Sequence, residues 1–291
     1  MKKNVTPVRN IIIETVDFLE EVFGSSPYFR VSDPIHSSKE RMEAFEGKRL
    51  GYARFGGHPD HRELERLITI HEGGFATRVR SDGMGAVSMA IYGALETVGR
   101  HLIVILPVYG GTYAEATRFQ TSLLYNASVT FLFANDPLLP QRFEEALTDE
   151  TGAVFFEPLT NPTLDFVDLS MLDDIRRKQK NPPLMICDHT FLLGLIFPLH
   201  WGIDVVVCSG TKYLVNESAW PLGYCTVSRS TLEQYPGFWE AANQWATRHG
   251  GTLGCFEAWA TKFAVSDVRR RMRKHGHNAM KVATFLASHP R

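Results

Sequence analysis

The run VVVCSGTKYLV (205–215) follows an apolar stretch with a serine, a threonine and a lysine: Ser209, Thr211 and Lys212. An ammonium is costly to bury, so a lysine there either snorkels to solvent or is used for its charge and nucleophilicity. The two hydroxyls before it can be aimed at a ligand beside the amine. A second Thr-Lys pair, Thr261-Lys262, serves as an internal control: Trp259 precedes it and no apolar strand leads into it. A second candidate, Asp188, ends the apolar run LMIC (184–187), at the strand edge where α/β sheets place ligands; the plainer use of such an acid is a turn cap. A third, SDGMGAVS (81–88), opens a helical pattern after FATRV. Gly83 and Gly85 match the first two glycines of a dinucleotide fingerprint, but the third position is Ser88 and residues 97–114 hold no Asp or Glu for a ribose. What survives is an anion site of backbone N–H groups at a helix start, best suited to phosphate.

Strand-like runs that would position these groups recur at 101–106, 128–133, 152–157, 184–187, 203–209 and 223–228. Most are continuously apolar, the pattern of strands covered on both faces. Helical patterns at 83–98, 113–124 and 168–180 lie between several of them, which predicts an α/β domain with a mostly parallel sheet. Residues 1–60 are loop-rich and read as an N-terminal arm with one short helix near 11–22. Residues 61–245 read as the α/β domain, and 246–291 as one or two further helices.

Composition narrows the function classes. With 44% hydrophobic and 22% charged residues the chain reads as an ordinary globular protein. Its 31 basic and 32 acidic side chains leave no overall field for nucleic acid or a membrane surface. Cys187, Cys208, Cys225 and Cys255 form no CxxC pair and read as reduced thiols, three of them in strands. The N-terminus has no signal-like apolar core, and no stretch approaches the ~18 apolar residues of a membrane span. A cytoplasmic location is expected. RRRMRK (269–274) reads as a solvated helix face or subunit contact, and His275 and His277 lack partners at metal-site spacing, so no metal is expected.

A phosphate cradle, a strand-end aspartate and a strand-end lysine, in that chain order, match the needs of pyridoxal 5′-phosphate (PLP): an amine for a Schiff base, a carboxylate for the ring nitrogen and a site for the phosphate. From about Pro34 onward the chain resembles the PLP-dependent enzymes of cysteine and methionine metabolism, the group of cystathionine γ-synthase and the cystathionine β- and γ-lyases. YARFG (52–56), SDGM (81–84), YGGTY (109–113), EPLTNPT (157–163), DHTF (188–191) and SGTKYLV (209–215) follow its motifs in order. The resemblance implies a type I PLP-dependent transferase fold with an incomplete C-terminal domain. It implies that Lys212 binds the cofactor covalently and moves protons, while Asp188 pairs with the pyridine nitrogen. Gly83 and Met84 N–H groups and the Ser209 and Thr211 hydroxyls hold the phosphate. Tyr52 and Arg54 reach the same phosphate from a neighbouring subunit, which implies a homodimer or homotetramer. Tyr109 stacks on the ring and takes part in proton transfer, and Asn161 sits near the ring oxygen.

The chain departs from the family pattern in several places. Asp82 replaces a serine of the phosphate motif and would repel a phosphate unless it points away. His189 replaces the asparagine of Asp-Asn-Thr; a neutral histidine there can stack or hydrogen-bond, so the change reads as neutral to function. NESA (216–219) replaces Gly-His-Ser-Asp, and Gly111 stands where methionine γ-lyases carry a cysteine. The sequence stops within the first helix of the family's C-terminal domain, before the arginine that binds the substrate carboxylate, which reads as a fragment. The activity implied is transsulfuration: a carbon–sulfur lyase acting on cystathionine or a related sulfur amino acid by β- or γ-elimination. The alternatives are γ-replacement on an activated homoserine, as in cystathionine γ-synthase or a sulfhydrylase, and a non-catalytic PLP-binding homologue.

Overall fold

In the computed structural model, which describes residues 53–55, 58–122 and 125–290, the apolar runs become strands of one sheet. Helix α1 (Pro59–Glu72) leads into β1 (Ala76–Arg80) and α2 (Gly83–Thr97). Next come β2 (His101–Leu106), α3 (Gly110–Thr121), β3 (Ser128–Phe133), α4 (Leu139–Ala146), β4 (Thr151–Phe156), α5 (Leu169–Arg176) and β5 (Leu184–Asp188). Strand β6 (Val205–Cys208) turns into the one-turn α6 (Gly210–Tyr213). It is followed by β7 (Gly223–Val227), α7 (Arg229–Gln234), α8 (Phe238–His249), α9 (Cys255–Val265) and α10 (Val268–Ser288). The strand order is β1-β7-β6-β5-β4-β2-β3. Strands β2 to β6 pair in parallel, and β7 runs antiparallel to both β6 and β1.

The sheet is covered on both faces, as its unbroken apolar strands require. On one face α2 brings Ala86, Met89, Ala90, Ile91 and Ala94 against Val104, Phe155, Ile186 and Val207. Helix α8 lies on α2 at Gly93, where a Cβ would come within 2.9 Å of the Ala242 Cβ. On the other face Leu64 and Ile68 of α1 meet Val206, Cys208 and Tyr224, while Phe143, Leu172 and Ile175 cover Ile103, Val154 and Met185. Burying each such side chain contributes about 1.5–3 kcal/mol.

Several boundaries move from the sequence expectation. Helix α3 begins at Gly110, α5 ends at Arg176, and α1, β1 and α8 fall where no element was expected. The division expected at residue 245 lies inside α8. The helix expected near 11–22 lies outside the described residues, as does most of the arm. All four cysteines are free and buried, three of them in strands. The control lysine, Lys262 of α9, is wholly buried and ion-paired with Asp60 at 3.0 Å and with Glu63, both on α1.

Candidate active site

The carboxyl ends of β4, β5 and β6 and the start of α2 enclose a cleft of about 520 Å³, the size of a small-molecule site. Its anion-binding end is built by the turn from β1 into α2. Asp82 is extended (φ −161°) and caps α2, its Oδ1 accepting the Gly85 N–H at 2.8 Å and its Oδ2 the Ser81 hydroxyl at 2.7 Å. That carboxylate is therefore engaged within its own turn. The Gly83 and Met84 N–H groups, first in the helix, have no intrahelical acceptor and belong to residues lining the cleft. Gly83 must lack a side chain, since a Cβ would lie 2.7 Å from the Ser209 Cβ. Ser209 borders this end and donates its own N–H to Thr190 Oγ1 at 2.8 Å. Thr211 also lines the cleft, but its hydroxyl donates to the Leu222 carbonyl (3.1 Å) and accepts the Leu222 N–H (2.8 Å). The expected phosphate donor is thus already paired both ways.

At the other end Asp188 closes β5, its Oδ1 accepting the Thr190 N–H at 3.0 Å and the Thr190 hydroxyl at 2.6 Å. Burial pushes this carboxyl above its usual range, while the two Thr190 bonds and the neighbouring His189 pull it back. Glu157, just past β4, is an acidic cleft residue to which sequence reasoning gave no role; its signal is its place at the head of EPLTNPT, directly after an apolar strand. Burial, then the charge of Asp188, pushes Glu157 up to about 8. Glu157 Oε1 accepts the Tyr109 N–H at 2.7 Å, and the Asn161 backbone also bonds to its carboxyl. One acid thereby anchors the two segments that carry Tyr109 and Asn161. The Tyr109 ring is 53% exposed over the cleft, and Lys212 extends from α6 as an exposed side chain lining it.

Tyr52 lies outside the described residues, and Arg54 is not among the residues lining this cleft. Arg54 donates from Nε to the Thr247 carbonyl and from Nη2 to the Arg248 carbonyl, both at 3.1 Å, at the end of α8. His189, read from the sequence as neutral to function, has its Nε2 3.1 Å from Glu72 Oε2 in a wholly buried pair. Burial is the largest influence and opposes its charge, but the Glu72 carboxylate, Asp188 and the Val207 backbone together raise its pKa.

A sequence model of the Cys/Met metabolism PLP-dependent enzymes matches residues 21–291. The chain belongs to this family. It is 31% identical over 271 residues to the cystathionine γ-lyase of Bacillus subtilis, covering 92% of this chain and 68% of that protein. With the cystathionine γ-synthase of Mycobacterium leprae it shares 32% over 265 residues, covering 89% and 64%. The solved cystathionine γ-lyase of Lactobacillus plantarum complexed with L-serine superposes with a TM-score of 0.75 at 26% identity, covering 91% and 64%. The chain thus spans about two thirds of the length of these relatives.

The residues present fit the family's cofactor. The anion-binding N–H groups of α2, the Asp188 carboxylate and the Lys212 amine border one cleft, and glycine at 83 keeps its phosphate end open.

Proposed function

We propose that the protein is a PLP-dependent carbon–sulfur lyase that removes a β- or γ-substituent from cystathionine or a close relative. The observation that carries this is the convergence of Lys212, Asp188, Tyr109 and the open end of α2 on one cleft. Bound PLP supplies an aldehyde that condenses with amines and a ring that withdraws electrons from the carbon bearing the substrate amine.

This chain's residues supply the rest. The Gly83 and Met84 N–H groups and the Ser209 hydroxyl bind the phosphate; Thr211 would join them by releasing Leu222. Thr190 holds the Asp188 carboxylate in place, where it would accept a hydrogen bond from the ring nitrogen of bound PLP. Lys212 Nζ, free to swing in the open cleft, takes the proton from the substrate α-carbon and returns it. Tyr109 would cover the ring of bound PLP, and its hydroxyl would serve the same proton transfers. Asn161 would stand on the ring-oxygen side. A homodimer or homotetramer would set Tyr52 and Arg54 against a neighbour's phosphate.

The alternative is γ-replacement on an activated homoserine, favoured by the 32% identity to a cystathionine γ-synthase. Incubation with cystathionine, with O-succinylhomoserine plus cysteine, and with methionine separates the readings. Pyruvate or 2-oxobutanoate from cystathionine supports the lyase. Net cystathionine synthesis favours replacement, and no turnover by a PLP-loaded protein overturns both.

A further inference from the structure

Asp188 and His189 are consecutive, yet the first lines the cleft and the second reaches the buried layer under α1. There His189 Nε2 lies 3.1 Å from Oε2 of Glu72, the last residue of α1, which is also fully buried. Tyr224 of β7 donates its hydroxyl to Glu72 Oε1 at 2.5 Å, so the carboxylate is held from two sides. The titratable groups around this pair are His71 on α1, Cys187 and Asp188 on β5, Cys208 on β6 and Tyr224 on β7, and Asp188 itself also faces Glu157 just past β4. Burial pushes the His71 imidazole toward its neutral form, with Glu72 pulling it the other way, and burial pushes the Cys208 thiol up. The two partners agree: against burial, Glu72 moves down and His189 moves up. The 3.1 Å contact and both directions favour the charged forms of the pair.

We propose that His189, held as a cation by Glu72, is a positioning residue that keeps the adjacent Asp188 carboxylate ionised for the ring nitrogen of PLP; the cofactor half of this inference rests on the function proposed above. The physical cause is local. Desolvation drives Asp188 toward the neutral acid, which cannot offer a full charge to a pyridinium, and the cation on the next residue opposes that drive. An asparagine at 189 would leave the opposition to Thr190 alone.

The test compares wild type, His189→Asn and Glu72→Gln, first without cofactor and then loaded. In cofactor-free protein, carbon NMR of labelled aspartate follows Asp188, and nitrogen NMR of labelled histidine follows residue 189. The expected results are a wild-type imidazole that stays protonated through neutral pH, and an Asp188 titration shifted upward by about one unit in His189→Asn, a tenfold change in its ionisation constant. Glu72→Gln should let His189 lose its proton at lower pH and move Asp188 the same way. In loaded protein, PLP affinity at neutral pH should fall severalfold in both variants. An unmoved Asp188 titration in both variants, even with lowered unfolding temperatures, would make His189 merely structural and overturn the proposal. Failure of wild type to bind PLP would overturn the functional reading instead, and the cofactor-free titrations would still decide the role of His189.

Discussion

Glu157 Oε1 accepts the backbone N–H of Tyr109 at 2.7 Å, so an acid just past β4 fixes the start of α3 and the aromatic ring that stands there. Burial first, then the Asp188 charge, raises Glu157 from 4.5 to about 8. Between those values the folded protein holds a proton that the unfolded chain has lost. The contribution of this group to stability is therefore full below about 4.5 and disappears as pH rises through about 8. Glu157→Gln keeps the acceptor and removes the titration. Denaturant unfolding of cofactor-free protein at pH 5 and pH 8 should show the stability difference reduced by roughly 2–4 kcal/mol in the variant.

Lys212 is exposed in the cleft, so its truncation removes chemistry and little packing. Lys212→Ala should unfold within about 0.5 kcal/mol of wild type. Its PLP should show no absorption band that borohydride can fix to the protein, and turnover should fall at least about a hundredfold. An intact, borohydride-fixable band in the variant would contradict the covalent role.

Gly223 tests the phosphate end. A Cβ there would overlap the Asp82 carbonyl oxygen and lie 2.8 Å from the Gly83 Cα. Gly223→Ala should cost about 1–3 kcal/mol and displace the turn whose N–H groups face the cleft. Affinity for PLP should drop about tenfold or more, while affinity for pyridoxal, which lacks the phosphate, changes little. Fluorescence titrations with both ligands measure the contrast.

Lys262 is paired with Asp60 at 3.0 Å and with Glu63, joining α9 to α1 away from the cleft. Lys262→Ala strands two carboxylates, one of them fully buried, and should destabilise the protein by about 3–5 kcal/mol in urea unfolding at neutral pH. The absorbance of bound PLP should be unchanged under conditions where the variant is folded.

The parallel strands are legible in the sequence because both their faces are covered: HLIVIL and VVVC read as unbroken apolar runs. Strand β1 is not, because ATRVR carries two arginines at the sheet edge. Helix α1 is hidden for a related reason. It buries Asp60, His61 and Glu72 along with its leucines, and charged residues on an inward face blur the helical period. At the site, Lys212, Asp188 and the α2 glycines are legible because each stands at a strand or helix end. The role of Asp82 is also local, since an acid three residues before Gly85 is a helix cap. Glu157 and His189 are a different kind of residue. Their partners, Tyr109 and Glu72, are distant in the chain, and only the folded sheet brings them together.

Strand β7 enters the sheet between β1 and β6, and its first residue, Gly223, touches the Asp82–Gly83 turn. This wall of the pocket is therefore complete only when β7 sits between β6, its neighbour in the chain, and β1, placed far earlier. A polypeptide that takes up the coenzyme against this wall would thereby report a closed sheet.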